Sequence, residues 1–169
     1  MRAILFILLA LALAALQAAS LRWVGGGAFS LALPLVVVVH LGLTAPSVEG
    51  AVTAAGVGYV VDLMTGGPKG LMTFLAVGLY LFSRLAGASV DVNGRAGFAV
   101  LTTLGVFLFG AATLGMIGLV SPAEVAPAGR LLGRVGTEAV VTGLASVFLQ
   151  PLLRRIDRFF TREDPGMLR

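Results

Sequence analysis

The stretch Gly56-Val-Gly-Tyr-Val-Val-Asp-Leu-Met-Thr-Gly-Gly-Pro-Lys-Gly70 decides how this chain is read. One apolar segment runs into it and another runs out. Between them lies a turn built almost wholly of helix breakers, Gly66 to Gly70. The glycines reach backbone angles closed to other residues, and Pro68 fixes its own φ and removes a donor. A single acid, Asp62, stands in the last turn of the incoming segment. An acid at the end of an apolar helix is costly unless it is hydrated, paired or bonded to backbone. The pattern predicts a tight helical hairpin in which Asp62 braces the turn, bonding backbone N–H groups of Thr65–Gly67 or the Lys69 ammonium.

The composition places that hairpin in a membrane. The 169 residues are 58% hydrophobic and 12% charged, and mean hydropathy is +1.01. Soluble domains carry about 25% charged residues, so there is too little polar surface to coat a water-soluble body. The expected fold class is an all-α membrane protein with six transmembrane helices at roughly 20 residues each. Glycine, 23 of 169 residues, exceeds the usual ~7%, as close helix approach in lipid favours. Cysteine is absent, which excludes disulfides and thiolate metal sites. The net charge of +4 reads as positive-inside bias. Only the C-terminal tail clusters basic residues, which excludes a nucleic-acid-binding face.

Residues 1–21 carry a positive start, an apolar run and small residues at the end. This pattern suits either a secretory signal or an uncleaved first span; the run is long for a signal core, and a first span is the expectation. The second span is expected from Phe29 to Leu43, with Pro34 inside it and His40 near its far end. As the only histidine, His40 has no second histidine for a proton relay and is expected to be packed or interfacial. The third span is expected from about Gly50 to Thr65, with Ala51, Ala55 and Gly58 forming a close contact. The fourth runs from about Gly70 to Ala86. Both are short for a hydrocarbon core of about 30 Å, so local thinning or strong packing is expected, with a re-entrant hairpin as the alternative.

Phe98 to Val120 is free of charge and contains the small-residue pattern Ala111-x-x-x-Gly115. The sixth span is expected from about Leu131 to Pro151, giving a single transmembrane domain over residues 1–151. It carries Arg134 and Glu138 four residues apart, on one helical face, where an intramembrane ion pair is expected. Residues 152–169 form a basic tail. Leu152, Leu153, Ile156, Phe159 and Phe160 recur at helical spacing, with Arg154, Arg155, Arg158 and Arg162 on the other side. This predicts a helix along the membrane surface, its arginines meeting anionic lipid.

With six spans and the N-terminus inside, eight of the twelve basic residues fall in the cytoplasm: Arg2, Arg84, Arg95, Arg154, Arg155, Arg158, Arg162 and Arg169. The other four, Arg22, Lys69, Arg130 and Arg134, fall outside. This bias favours cytoplasmic termini and turns Asp62 outward. No catalytic constellation emerges. Gly87-Ala-Ser-Val matches a serine elbow by letters only, metalloprotease ligands are missing, and Gly66-Gly67-Pro68-Lys69 lacks phosphate-loop spacing. No enzyme activity or cofactor is expected.

The stretch from Leu33 to Arg84 resembles the rod shape-determining protein MreD family. The resemblance rests on Pro34 before an apolar run, His40-Leu-Gly-Leu43, Glu49-Gly50, the block Gly58 to Leu71, and Tyr80-Leu-Phe-Ser-Arg84. The family's Gly-x-x-x-Asp and Ser/Thr-Gly-x-Pro-x-Gly elements fall on Gly58, Asp62, Thr65, Gly66, Pro68 and Gly70. Lys69 stands where many members carry Leu. About a third of the chain matches closely and the rest by architecture. The resemblance implies a non-enzymatic subunit of the bacterial inner membrane that supports lateral peptidoglycan synthesis and cell shape. The implied partners are a bitopic MreC-like protein, MreB filaments and a SEDS glycosyltransferase–transpeptidase pair. It also implies a fold similar to the S component of ECF transporters, and hence the alternative of a small-molecule-binding transporter subunit. Such a subunit should line an outward cavity with polar residues. The candidates for that lining are Asp62, Lys69, Arg134 and Glu138.

Overall fold

The computed structural model describes residues 2–23, 31–66, 69–89, 94–120 and 128–161. These form six helices and no strands: α1 (Arg2–Trp23), α2 (Leu33–Thr44), α3 (Ser47–Thr65), α4 (Leu71–Ser89), α5 (Arg95–Val120) and α6 (Ala128–Thr161). Segments within α4 (Leu71–Ala88), α5 (Arg95–Leu119) and α6 (Leu131–Arg158) are long and apolar enough to cross a membrane. Large apolar side chains face outward on all three, including Phe74, Val100, Leu119 and Phe148. An apolar exterior of this kind marks a helical membrane protein, because such surface is unfavourable against water.

The centre of the bundle is α2. At 12 residues it is only about 18 Å long, yet it packs against each of the other five helices. Every residue from Pro34 to Gly42 is buried, and Val36 to Val39 are fully enclosed. A run of β-branched residues is a modest helix former. Burial on all sides overrides that weakness, as expected for a helix apolar all round. Pro34 lies in the first turn of α2, where its missing N–H costs nothing. It therefore opens the helix instead of interrupting a longer one from Phe29. Residues 24–30 lie outside the described segments, as does the linker 121–127.

Around α2, α1 lies on α3, α3 pairs with α4, α4 adjoins α5 and α5 pairs with α6. Gly58 permits the α3–α4 approach: a Cβ there would stand 2.6 Å from the Thr73 Cα and 2.8 Å from the Met72 carbonyl oxygen. On α5 the close approach to α6 does not use Ala111-x-x-x-Gly115, since Gly115 faces open space. Gly110 meets Val135 instead, and Gly143 of α6 meets Thr103. Several buried hydroxyls in this interior return to their own helix. Thr53 donates to the Glu49 carbonyl, Ser83 to Leu79 and Thr102 to Phe98, which satisfies them without water.

The tail departs from expectation. α6 continues through Pro151 to Thr161 as one helix of 34 residues, so no break separates a membrane domain from a surface helix at residue 151. Nor does the apolar stripe of the tail lie wholly in lipid. Leu153 is fully buried and Ile156 packs against the core.

Candidate functional site

The α3–α4 turn is built on two glycines with positive φ, Gly66 at 66° and Gly70 at 91°. Gly66 ends α3 in the left-handed conformation, with its N–H on the Asp62 carbonyl. The Asp62 side chain is only 6% exposed and reaches across the turn to the start of α4. Its Oδ2 accepts from the N–H of Gly70 (3.1 Å), the N–H of Thr73 (3.0 Å) and the Thr73 hydroxyl (2.6 Å). Its Oδ1 accepts from the N–H of Met72 at 2.9 Å. The first N–H groups of any helix lack intrahelical partners, and the helix dipole favours a negative charge there. Asp62 thus serves as the N-terminal cap of the next helix, supplied from the end of the previous one.

This corrects the expected bonding. Within the described residues, neither Thr65, Gly66 nor Lys69 donates to the Asp62 carboxylate. The Thr65 hydroxyl turns back to the Val61 carbonyl at 2.9 Å, and Lys69 is exposed. Gly67 and Pro68 lie outside the described residues. Thr73, which contributes two of the four bonds, carries no motif of its own. Its place three residues after Gly70 is the signal that points to it.

Beside the hairpin lies a cavity of about 410 Å³ whose walls come from all six helices. Val61, Met64, Met72, Phe109, Leu114 and Val135 make most of it apolar. Gln17, Thr65, Thr113 and Glu138 supply its polar groups. Of the four polar residues expected around an outward cavity, only Glu138 lines this one. Arg134 is exposed, and no ion pair joins it to Glu138 among the described residues, so the expected intrahelical pair is not formed. The four-residue spacing does continue inward along α6, through Thr142, Ser146 and Gln150, all buried. The Thr142 hydroxyl accepts from the Ala32 N–H at 3.0 Å and anchors the entry to α2.

The opposite end of the bundle holds two further constellations. Tyr80, 1% exposed, sits with its ring over Gly50, and its hydroxyl lies 3.2 Å from the Ser47 carbonyl oxygen and 3.3 Å from that of Pro46. Arg84, one turn later on α4, donates from Nη1 to the Tyr80 hydroxyl and to the Ala45 carbonyl. Together they clamp the α2–α3 turn. Nearby, His40 is buried at 2% exposure between the rings of Phe6 and Phe98, whose centroids are 6.1 and 6.2 Å away. Its Nε2 lies 2.7 Å from Oδ2 of Asp157 on α6. A carboxylate only accepts, so the ring nitrogen donates. Asp157 escapes a reading of the sequence because it stands among arginines, where an acid looks like a solvated countercharge. Arg154, Arg155 and Arg158 are exposed; Arg162 lies outside the described residues.

Fold and site together define a helical membrane protein whose organised features are structural: a capped hairpin, a clamped turn and a mainly apolar cavity. No family model matches the chain, and neither a curated protein nor a solved structure matches it.

Proposed function

We propose that this chain is a non-enzymatic, multi-pass subunit of a bacterial cell-elongation complex in the inner membrane, of the MreD type, with an MreC-like bitopic protein as its direct partner. In this reading all six helices form the membrane domain, with an arrangement similar to a transporter S component and both termini in the cytoplasm. The short α2, at 12 residues, is held within the bilayer by packing against its longer neighbours. Lateral peptidoglycan synthesis and rod shape depend on the assembly it scaffolds, together with MreB filaments and a SEDS glycosyltransferase–transpeptidase pair.

The observation that carries the reading is the α3–α4 hairpin. The residues behind the resemblance act as one physical unit: Gly58 lets α4 approach, Asp62 caps it, and Gly66 and Gly70 make the turn. Tyr80 and Arg84, from the same resemblance, clamp the other end of α4. Such a unit suits a protein whose task is to present a fixed surface to a partner.

The test is purification of the tagged full chain in mild detergent from a rod-shaped host, with identification of what is retained. An MreC-like protein is expected, and depletion of the chain should round the cells. A reporter fused after Arg169 should be active in the cytoplasm. The cavity favours a second reading, a small-molecule-binding transporter subunit. Its volume suits a ligand, since such sites span roughly 300–1,000 Å³. Its sparse polar lining, with Asp62 committed to α4, ranks that reading below the first. Recovery of a transporter ATPase in place of an MreC-like protein would reverse the order.

A further inference from the structure

α6 carries a weak point and, beyond it, a tie. Pro151 lies inside the helix with its ring exposed. A proline has no N–H to give to the preceding turn, so α6 lacks one backbone bond there. Past that point, Leu153 is fully buried, Ile156 packs on the core, and Asp157 bonds to His40 of α2, 117 residues away in sequence. At about 100° per residue, Leu153, Ile156 and Asp157 share the inner arc of the helix. Arg154, Arg155 and Arg158 occupy the opposite arc, and all three are exposed.

Asp157 is also the only acid between Leu152 and Thr161. Bonded to His40, it turns its charge inward, with its side chain 16% exposed. The outward arc is then purely cationic. Swinging the extension away about Pro151 would bring an anion back among the arginines and expose the face of Leu153.

We propose that His40 and Asp157 form a latch that holds the hinged end of α6 against the bundle, and so presents Arg155 and Arg158 as a fixed cationic face to anionic lipid headgroups. The inference rests on reading α6 as membrane-spanning, and it goes beyond the scaffold role because it assigns positioning residues and a lipid class. The occupant follows from charge complementarity and from place. Guanidinium groups pair with phosphate by paired N–H donors, and a basic segment directly continuing a spanning helix sits where anionic headgroups are concentrated.

The chain has no cysteine, so introduced cysteines are unique. Spin labels at Leu85→Cys, exposed on α4, and at Arg155→Cys report the distance between bundle and extension. Measurement is made on the full chain in nanodiscs containing phosphatidylglycerol and phosphatidylcholine. Incorporation into the discs is scored first and separately, because failure there would strike the membrane reading and not the latch. The latched chain should give one narrow distance. Asp157→Ala, and independently His40→Gln, should broaden or shift it. The exchange His40→Asp with Asp157→His should narrow it again, which a merely destabilised bundle would not do. A narrow, unchanged distance in both single variants, each still eluting as a folded species, would overturn the latch.

The lipid is read by native mass spectrometry of the cysteine-free chain. Retention of phosphatidylglycerol over phosphatidylcholine should fall about fivefold for each of Arg155→Gln and Arg158→Gln, and should also fall in His40→Gln, which frees the Asp157 carboxylate to neutralise the arginines. Equal retention of the two lipids by the unsubstituted chain would overturn the lipid assignment.

Discussion

The two ends of this bundle each turn an aspartate inward, and they use it in opposite ways. Asp62 reaches backbone N–H groups 8 to 11 residues further along the chain. Asp157 reaches a side chain 117 residues back. The first contact is local and ties two consecutive helices into a hairpin. The second is long-range and closes the last helix onto the second. A carboxylate that satisfies backbone donors is a fixed part of the fold, because those donors have no alternative partner when buried. A carboxylate that meets an imidazole is a tie between side chains, and both groups can be rehydrated when it opens.

The largest loss is expected when Asp62 is removed. Asp62→Ala strands the N–H groups of Gly70, Met72 and Thr73, each costing about 1–3 kcal/mol when unsatisfied. Water entering at the helix end offsets part of that, and a net loss of roughly 3 kcal/mol or more is expected. Thermal unfolding in detergent should show a larger drop than any substitution at Gly58, Asp157, Arg134 or Glu138 produces. Recovery of the MreC-like partner should fall with it. Asp62→Asn keeps one acceptor oxygen and should lie between Asp62→Ala and the parent chain. Equal stability of both variants with the parent chain would mean that the cap is dispensable.

Gly58 sharpens the same end from the packing side. Gly58→Ala places a methyl group 2.6 Å from backbone of α4, where no flexible side chain can yield. Overpacking of this kind typically costs about 1–3 kcal/mol. The hairpin should open slightly, lengthening the Asp62 bonds, so combining Gly58→Ala with Asp62→Ala should give less than the sum of the two losses. Strict additivity would show that helix approach and capping are independent.

At the other end, Asp157→Ala removes the acceptor to which the buried His40 imidazole donates. About 1–2 kcal/mol is expected, below the loss at Asp62. Amide exchange should rise in the α6 extension while α3 and α4 stay protected. Equal deprotection of the hairpin would mean that the two ends are coupled and the comparison is void.

The difference between the ends also explains what was legible in the sequence. An all-helical membrane protein follows from hydropathy, and the hairpin from one acid among glycines and a proline, because both signals lie within a single window of chain. The expectation puts the donors to Asp62 at Thr65–Gly67 or Lys69, whereas they are Gly70, the last residue of the breaker run, and Met72 and Thr73 in the first turn of the following helix. α2 was read as a longer span holding Pro34, since nothing in Val36–Val39 announces that a helix of 12 residues will be enclosed on every side. Asp157 was invisible: its partner lies on another helix, and no spacing rule links residues 117 apart.

The smallest effect is expected where spacing was most persuasive. Arg134 and Glu138 are one turn apart, which puts them on the same face of α6, but no ion pair forms between them. Arg134 is exposed, while Glu138 is half-buried against the cavity. A helix places the two stems side by side; it does not oblige the long side chains to converge, and an exposed guanidinium gains little by surrendering its freedom to a partner. Arg134→Gln should therefore change stability by no more than about 0.5 kcal/mol. Glu138→Gln should cost whatever that residue contributes at the cavity wall, and the double variant should equal the sum of the two. The measurement is a double-variant cycle from denaturation midpoints in one detergent. An interaction energy above about 0.5 kcal/mol would mean that the pair forms in the bilayer, and would move part of the molecule's charge pairing to the Asp62 end, where the comparison assigns only backbone capping.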